Sequence, residues 1–422
     1  MRVGIVGAGF VGLTCAYRLA QAGVEVELYE AASHSGGLAS GFSLPGWKWP
    51  LEQFYHHIFS NDRAIIRLSR EVGWPPIFFR PTTSIFFNGR MYPFDSAFHL
   101  LRFPQLPLHA KLRMGIVLGF LKLSPFWKPL ERIPAHDFLI QTMGVRSYEA
   151  IWQPLLVGKF GPWARDVNAA WFWARIHKRT ARLGYFRRGF QGLANRLHES
   201  IVNNGGGIHL HSPVSAIRKA GAHLALSSTL GTERFDRVIV TTSTPLFLKM
   251  VKGLPSRYRS RLGRLRSLDA LVVILILKTP VMDGVYWLNV TDQRLPFVGV
   301  MEHTNMIDPK YYGGNHIVYL GTYLPPDHRY FLLSKDAVVR LAIQQLKALT
   351  RNFDESDIVE TRVHRGRGAQ PIIPVNYSRL RPTMETPIDH LFLANMSLVY
   401  PWDRGTNYAV ELGERAYRTL LS

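Results

Sequence analysis

Arg2-Val3-Gly4-Ile5-Val6-Gly7-Ala8-Gly9-Phe10-Val11-Gly12 stands at the start of the chain and decides its fold class. An apolar run leads into Gly7-x-Gly9-x-x-Gly12, and small residues recur at Ala16 and Gly23. Val24-Glu25-Val26-Glu27-Leu28-Tyr29 then alternates as a strand does and closes on Glu30. The pattern predicts a strand, a glycine turn, a helix and a second parallel strand, the βαβ unit that binds dinucleotides. Gly7 allows the tight turn out of the strand. Gly9 lets a pyrophosphate approach the backbone, and Gly12 with Ala16 lets the helix pack close to the sheet. Phe10 and Val11 open that helix, whose unpaired N–H groups and positive dipole end face the phosphates. Glu30 is placed to accept hydrogen bonds from the adenosine ribose and to repel a 2′-phosphate, which argues against NADP.

Around this unit lie 422 residues, enough for two or three domains, and 47% of them are apolar. The 17 Tyr, 24 Phe and 10 Trp exclude a solvating, disordered chain. A single cysteine, Cys15, excludes an internal disulfide and points to a reducing, cytoplasmic compartment. The first apolar run is too short and glycine-rich for a secretory leader, and no apolar run reaches the roughly 18 residues that a membrane-spanning helix needs. The 51 Lys and Arg outnumber the 30 Asp and Glu, giving +21. This charge is clustered: residues 167–198 and 237–268 contain no acid. The partners that such charge fits are an anionic substrate or an anionic membrane surface, the latter giving peripheral attachment at a membrane's inner face. Nucleic acid is disfavoured, because no nucleic-acid motif accompanies the charge.

Three further stretches extend the fingerprint. Ser35-Gly36-Gly37-Leu38-Ala39 supplies a second glycine pair shortly after Glu30. Gly189-Phe190-Gln191-Gly192-Leu193 begins a helix expected through residue 201. Gly205-Gly206-Gly207 ends it, a strand is expected over 208–214, and another over 235–240 runs into Thr241-Thr242-Ser243-Thr244-Pro245. Leu391-Phe392-Leu393-Ala394-Asn395 precedes Tyr400-Pro401-Trp402-Asp403-Arg404-Gly405-Thr406-Asn407-Tyr408, a last strand and helix. In this order the pieces resemble the flavin-dependent amine oxidase, protoporphyrinogen oxidase and phytoene desaturase superfamily. The resemblance implies FAD as the cofactor. It implies that Gly36, Gly37 and Leu38 run along the flavin phosphates, that Val214 and Thr241 border the dinucleotide, and that Asp403, Asn407 and Tyr408 meet the flavin end. Some resemblance also extends to UDP-galactopyranose mutases, through Tyr55-His56-His57-Ile58-Phe59.

The expected architecture is α/β: a discontinuous Rossmann-type FAD-binding domain (1–60, 189–247 and 373–422) and an α+β substrate domain (61–188 and 248–372) with a mixed sheet and a helical cap. Ala270-Leu271-Val272-Val273-Ile274-Leu275-Ile276-Leu277 reads as a buried strand, and residues 316–323 as another. Residues 334–349 read as a helix with Val338, Leu341, Ile343 and Leu346 inward and Ser334 as N-cap. Residues 100–130 interleave Arg102, Lys111, Arg113, Lys122 and Lys128 with apolar and aromatic side chains. They are read either as a cap on the protein's own core or as a membrane-surface segment.

A flavin carries its own redox chemistry, so no catalytic triad is required, and no Cys/His spacing marks a metal site. The candidate catalytic residues are Lys159, placed by the resemblance near the isoalloxazine, and His57, placed beside flavin or sugar. The bland reading of His57 is a cap for a helix starting near Asp62, and that of Lys159 is a surface lysine. Arg365 and Arg367 are candidates for holding an anionic substrate. The leading function is an FAD-dependent oxidoreductase that takes a hydride from a C–H bond of a largely apolar small molecule to flavin N5. The alternatives are a UDP-galactopyranose mutase-like isomerase using reduced FAD on a nucleotide sugar, and a non-catalytic, membrane-recruited flavin carrier.

Overall fold

The computed structural model describes residues 1–422. Its organising element is a five-stranded parallel sheet. The strand order is Gly207–His209, Glu25–Tyr29, Arg2–Val6, Arg237–Val240, Leu391–Leu393. The chain therefore returns to this sheet twice after long excursions. Strand order reverses beside Arg2–Val6, and the crevice outside the carboxyl ends at such a point is where α/β sheets bind ligands. The helices Phe10–Gln21 and Thr406–Leu421 pack on one another beside the sheet. They cross closely because Gly413 has no side chain: a Cβ there would lie 2.7 Å from both Thr14 Cβ and Val11 O.

A seven-stranded mixed sheet forms the second layer, in the order Ile358–Pro371, Ser267–Leu277, His316–Leu324, Gly299–Glu302, Val285–Val290, Thr82–Phe87, Arg90–Pro93. Ser267–Leu277 explains its own uninterrupted apolar run. Val272, Ile274 and Ile276 join the core shared with the parallel sheet, while Leu271, Val273, Leu275 and Leu277 join the core under the helix Lys335–Leu349. A strand buried on both faces shows no alternation. Ser334 caps that helix as expected, accepting from the Ala337 N–H at 3.2 Å.

A helical layer, mainly within residues 97–178, covers one end and has its own core around Met114, Leu139, Phe160, Trp171 and Trp173. Two expectations need correction. The strand expected over 208–214 spans only Gly207–His209. His211 turns into the left-handed region at φ 52°, and the N–H groups of His211 and Ser212 donate to Ala32 and Glu30 carbonyls, wrapping the chain around the end of the neighbouring strand. An antiparallel meander also fills residues 216–235, where no separate sheet was anticipated. No helix is long and apolar enough to cross a membrane.

Candidate active site

The dinucleotide end of the site is a glycine-built cradle. Gly7 adopts φ +106°, and a Cβ on Gly12 would lie 1.9 Å from the Gly7 carbonyl oxygen, so both positions are closed to any side chain. The second glycine pair is brought directly onto the first loop. The Gly36 N–H donates to the Ala8 carbonyl at 2.8 Å, and a Cβ on Gly37 would meet Gly9 Cα at 3.0 Å. Glu30 fixes the loop: its carboxylate accepts from the Ala8 N–H at 2.7 Å and the Ala32 N–H at 2.9 Å. A carboxylate has about four lone-pair sites, so capacity for a ribose hydroxyl remains. Thr241 donates through Oγ1 to the Val6 and Gly7 carbonyls at 2.9 and 3.1 Å and holds the loop from below.

The polar groups left over fit FAD. A Cβ on Gly9 would meet nothing nearer than Gly37 Cα at 4.0 Å, which leaves room for a pyrophosphate over the backbone. Thr242 Oγ1 is buried without a partner at the carboxyl end of the sheet. The N–H groups of Val11, Gly12, Asn407 and Tyr408 have no acceptor in the chain, and neither does Val214 use its backbone N–H or C=O. Phe10 is buried against Phe190, and Leu38 reaches across to the seven-stranded sheet beside Gly366.

Asp403 lies in a half-buried cluster just before the helix Thr406–Leu421. Its Oδ2 accepts from Lys159 Nζ at 3.0 Å and from Arg175 at 3.3 Å, and its Oδ1 from the Arg404 N–H at 3.0 Å. Arg404 continues to Gln370 Oε1 at 2.8 Å and to the Tyr323 hydroxyl, which meets Tyr55 Oη at 2.9 Å. Burial lowers Lys159 to about 7; Asp403 opposes this, and the like charges of Arg175 and Arg404 add to it. Burial works against the Asp403 anion, but the three surrounding cations hold it well below the usual carboxylate range. Near neutral pH the labile proton is thus on Lys159, and three basic groups face one acid.

An aromatic wall joins this cluster to His57. Lys159 lies over Trp171 at 5.2 Å and Tyr323 at 6.0 Å, Tyr55 packs edge-on to Trp287 at 5.1 Å, and His57 packs on Trp287 at 5.7 Å. Phe54 and Tyr55 can lie on the sheet because Gly366 and Gly321 are bare; Cβ atoms there would sit 2.8 and 2.7 Å from their rings. His57 Nδ1 meets the Tyr286 hydroxyl at 3.2 Å. Burial, aided by Arg179, His56 and Arg175, drives it down to about 3, so the ring is neutral. It does not cap the following helix, Arg63–Glu71. Asp62 instead closes the preceding turn, accepting from the Phe59 N–H at 2.8 Å.

Asn407 supplies the N-terminal acceptor for that helix, taking the Ala64 and Ile65 N–H groups at 3.0 and 3.2 Å. Only its backbone therefore faces the cradle, whereas Tyr408 stacks on Trp402. Arg365 and Arg367 are exposed and apart from the cluster; Arg365 donates to the Leu333 carbonyl. Sequence reading missed Arg175, Arg404, Tyr55 and Tyr323 as site residues. It also missed Asn395, which donates to the Thr242 carbonyl at 3.0 Å and ties the ends of two sheet strands. The signal for Asn395 was its place directly behind the last strand; the cluster residues carried no local signal. No group of His, Cys, Asp or Glu side chains converges on a metal position.

A glycine cradle at a Rossmann switch point, with unpaired N–H groups at the starts of two helices, is the kind of site that holds a flavin dinucleotide. A family model described as flavin containing amine oxidoreductase matches residues 10–421, and the chain belongs to that family of enzymes, with FAD as the cofactor this implies. The chain is similar to a candidate protoporphyrinogen oxidase from Exiguobacterium sp. 255-15, with TM-score 0.77 and 17% identity over 99% of this chain and 98% of that one. It is similar to putrescine oxidase bound to putrescine, with TM-score 0.77 and 18% identity over 100% and 98%. It is also similar to reduced UDP-galactopyranose mutase, with TM-score 0.79 and 15% identity over 100% and 93%. At these identities the likeness is one of fold. A comparison with curated proteins gives no match.

Proposed function

We propose that the protein removes a hydride from a C–H bond of a largely apolar small molecule bearing an anionic group. The observation that carries this reading is the Lys159–Arg175–Arg404 cluster around the single carboxylate of Asp403, set against Trp171, Tyr323 and Tyr55. When bound, FAD supplies the two-electron acceptor at N5. The aromatic wall holds the apolar body and excludes water. Arg175, whose side chain is only partly buried, orients the anionic end. Lys159 Nζ, lowered to about 7 and so partly neutral near neutral pH, takes up in its neutral form the proton that the substrate loses as the hydride leaves. Membership of an enzyme family counts against a recruitment-only role. The division into an FAD-binding domain (1–60, 189–247, 373–422) and a substrate domain (61–188, 248–372) is supported by the parallel and seven-stranded sheets, each drawn from one set of segments, while the small sheet of Ile58–Phe59, Leu183–Phe186 and Pro76–Phe79 bridges the two.

The test is the pH dependence of the bound-flavin spectrum and of its anaerobic bleaching by apolar carboxylates, phosphates and amines. Lys159 is charged below its pKa and neutral above it, so a transition near pH 7 is expected. Arg175→Gln removes a like charge, favours the charged lysine and moves the transition to higher pH. Lys159→Met abolishes it; an unchanged transition in that variant, or bleaching by amines alone, overturns the reading. A mutase reading has one supporting feature: the same cations suit the diphosphate of a nucleotide sugar. Turnover of a UDP-sugar only by dithionite-reduced enzyme would favour it.

A further inference from the structure

The helix Leu108–Leu123 is apolar on two opposite sides. Ala110, Met114 and Leu121 are buried in the helical layer. On the other side Leu108, Leu112, Ile116, Phe120 and Leu123 succeed one another at helical spacing and remain in solvent; Ile116 is 74% exposed, Phe120 64% and Leu123 83%. Phe98 and Leu101, in the preceding helix Ala97–Arg102, and Phe126 just beyond are exposed as well. Soluble proteins rarely leave such a continuous apolar stripe uncovered.

The charge around the stripe says what covers it. Between Asp95 and Glu131 there is no acid, while Arg102, Lys111, Arg113, Lys122 and Lys128 are present, none of them in an ion pair. Three of them are fixed on the helix flanks by backbone carbonyls: Lys111 by Leu101 at 2.9 Å, Arg113 by Thr142 at 2.6 Å, and Lys122 by His177 at 3.0 Å. A second copy of the chain would bring this patch against itself, because a two-fold interface is self-facing, and its cations would meet like charges with no acid between them. An anionic bilayer answers both features, with acyl chains for the stripe and headgroups for the flanking cations.

We infer that the face formed by Leu108–Leu123 docks on an anionic membrane with the helix lying in the plane of the surface. The docked end is coupled to the site. Lys122 holds the carbonyls of His177 and Arg179, and Trp173 Nε1 donates to Ser124 O at 2.8 Å, so the helix Ala169–Lys178, which carries Arg175, abuts the docked end of the stripe. The inference rests on the surface alone and stands whether or not the proposed chemistry does.

The experiment sediments the FAD-loaded protein with vesicles of phosphatidylcholine, with or without phosphatidylglycerol. Pelleting with the mixed vesicles is expected, weakening as salt rises. The Ile116→Glu/Phe120→Glu variant should lose at least about tenfold in partitioning while keeping its FAD content and thermal midpoint, because both side chains already lie in water. Lys128→Glu should weaken binding to the mixed vesicles alone. The inference is overturned if the wild type stays in the supernatant at low salt, if both vesicle types bind equally, or if the double variant pellets as the wild type does. A wild-type dimer that the double variant dissolves would also overturn it, in favour of a second copy.

Discussion

Gly9 and Gly12 belong to one fingerprint but act through different physics. Gly12 has no room for a methyl group, because its Cβ would overlap the Gly7 carbonyl. Gly12→Ala is expected to cost the fold itself about 1–3 kcal/mol or more, read as a lower thermal midpoint of the apoprotein. Gly9 has extended backbone at φ −73° and ψ 176°, with open space ahead of it. Gly9→Val should therefore leave the apoprotein midpoint nearly unchanged and abolish stoichiometric FAD. A valine variant that retains FAD would contradict the pyrophosphate assignment. Glycines of this kind were legible in the sequence because a backbone constraint leaves only one residue type. Lys159 was legible only as a candidate. Its proton affinity is set first by burial and then by Asp403, Arg175 and Arg404, which lie elsewhere in the sequence, and no local spacing announces them.

At the scale of elements, hydrophobic pattern was informative wherever an element's own environment is uniform. The strand Ser267–Leu277 and the helix Lys335–Leu349 were readable because each has one consistent burial pattern along its length. The strand after residue 207 was not, since its early end depends on bonds to Ala32 and Glu30, a distant segment. Asn407 shows the same limit. It reads as a flavin contact at the start of the last helix, yet its side chain is spent on the first turn of Arg63–Glu71, far away in sequence. Asn407→Ala strips two buried N–H groups of their acceptor. It should cost about 1–2 kcal/mol by thermal or urea unfolding, with FAD still bound in stoichiometric amount, because only the backbone of residue 407 faces the cradle. Unchanged stability with lost FAD would instead restore the side chain to the cofactor.

For the whole molecule, Glu52, which is 1% exposed, ties the seven-stranded sheet to the strand Leu183–Phe186 and to the start of the helix Gly189–Asn203. Its carboxyl receives the Tyr185 hydroxyl at 2.5 Å and the Phe190 N–H at 2.6 Å, and its carbonyl receives the Tyr319 hydroxyl at 2.7 Å. Burial pushes it up from 4.5 to about 7, against the pull of those hydrogen bonds. The folded state therefore keeps a proton that the unfolded chain has already lost. Its contribution to stability is full below pH 4.5 and declines as pH rises to about 7. At about 1.4 kcal/mol per pH unit the loss is on the order of 3 kcal/mol. The total stability curve hides this. Burial lowers His56 to about 4 and His57 and His303 to about 3, from 6.5, so these groups make stability rise with pH over much of the same window. The difference between Glu52→Gln and the wild type, at fixed excess FAD, isolates the one group, since glutamine stands in for the protonated acid. The variant should gain on the wild type steadily from pH 4.5 to 7 and then run parallel to it. Curves that are parallel throughout would mean that Glu52 is ionised in the fold, and that the junction it makes holds a buried charge rather than a proton.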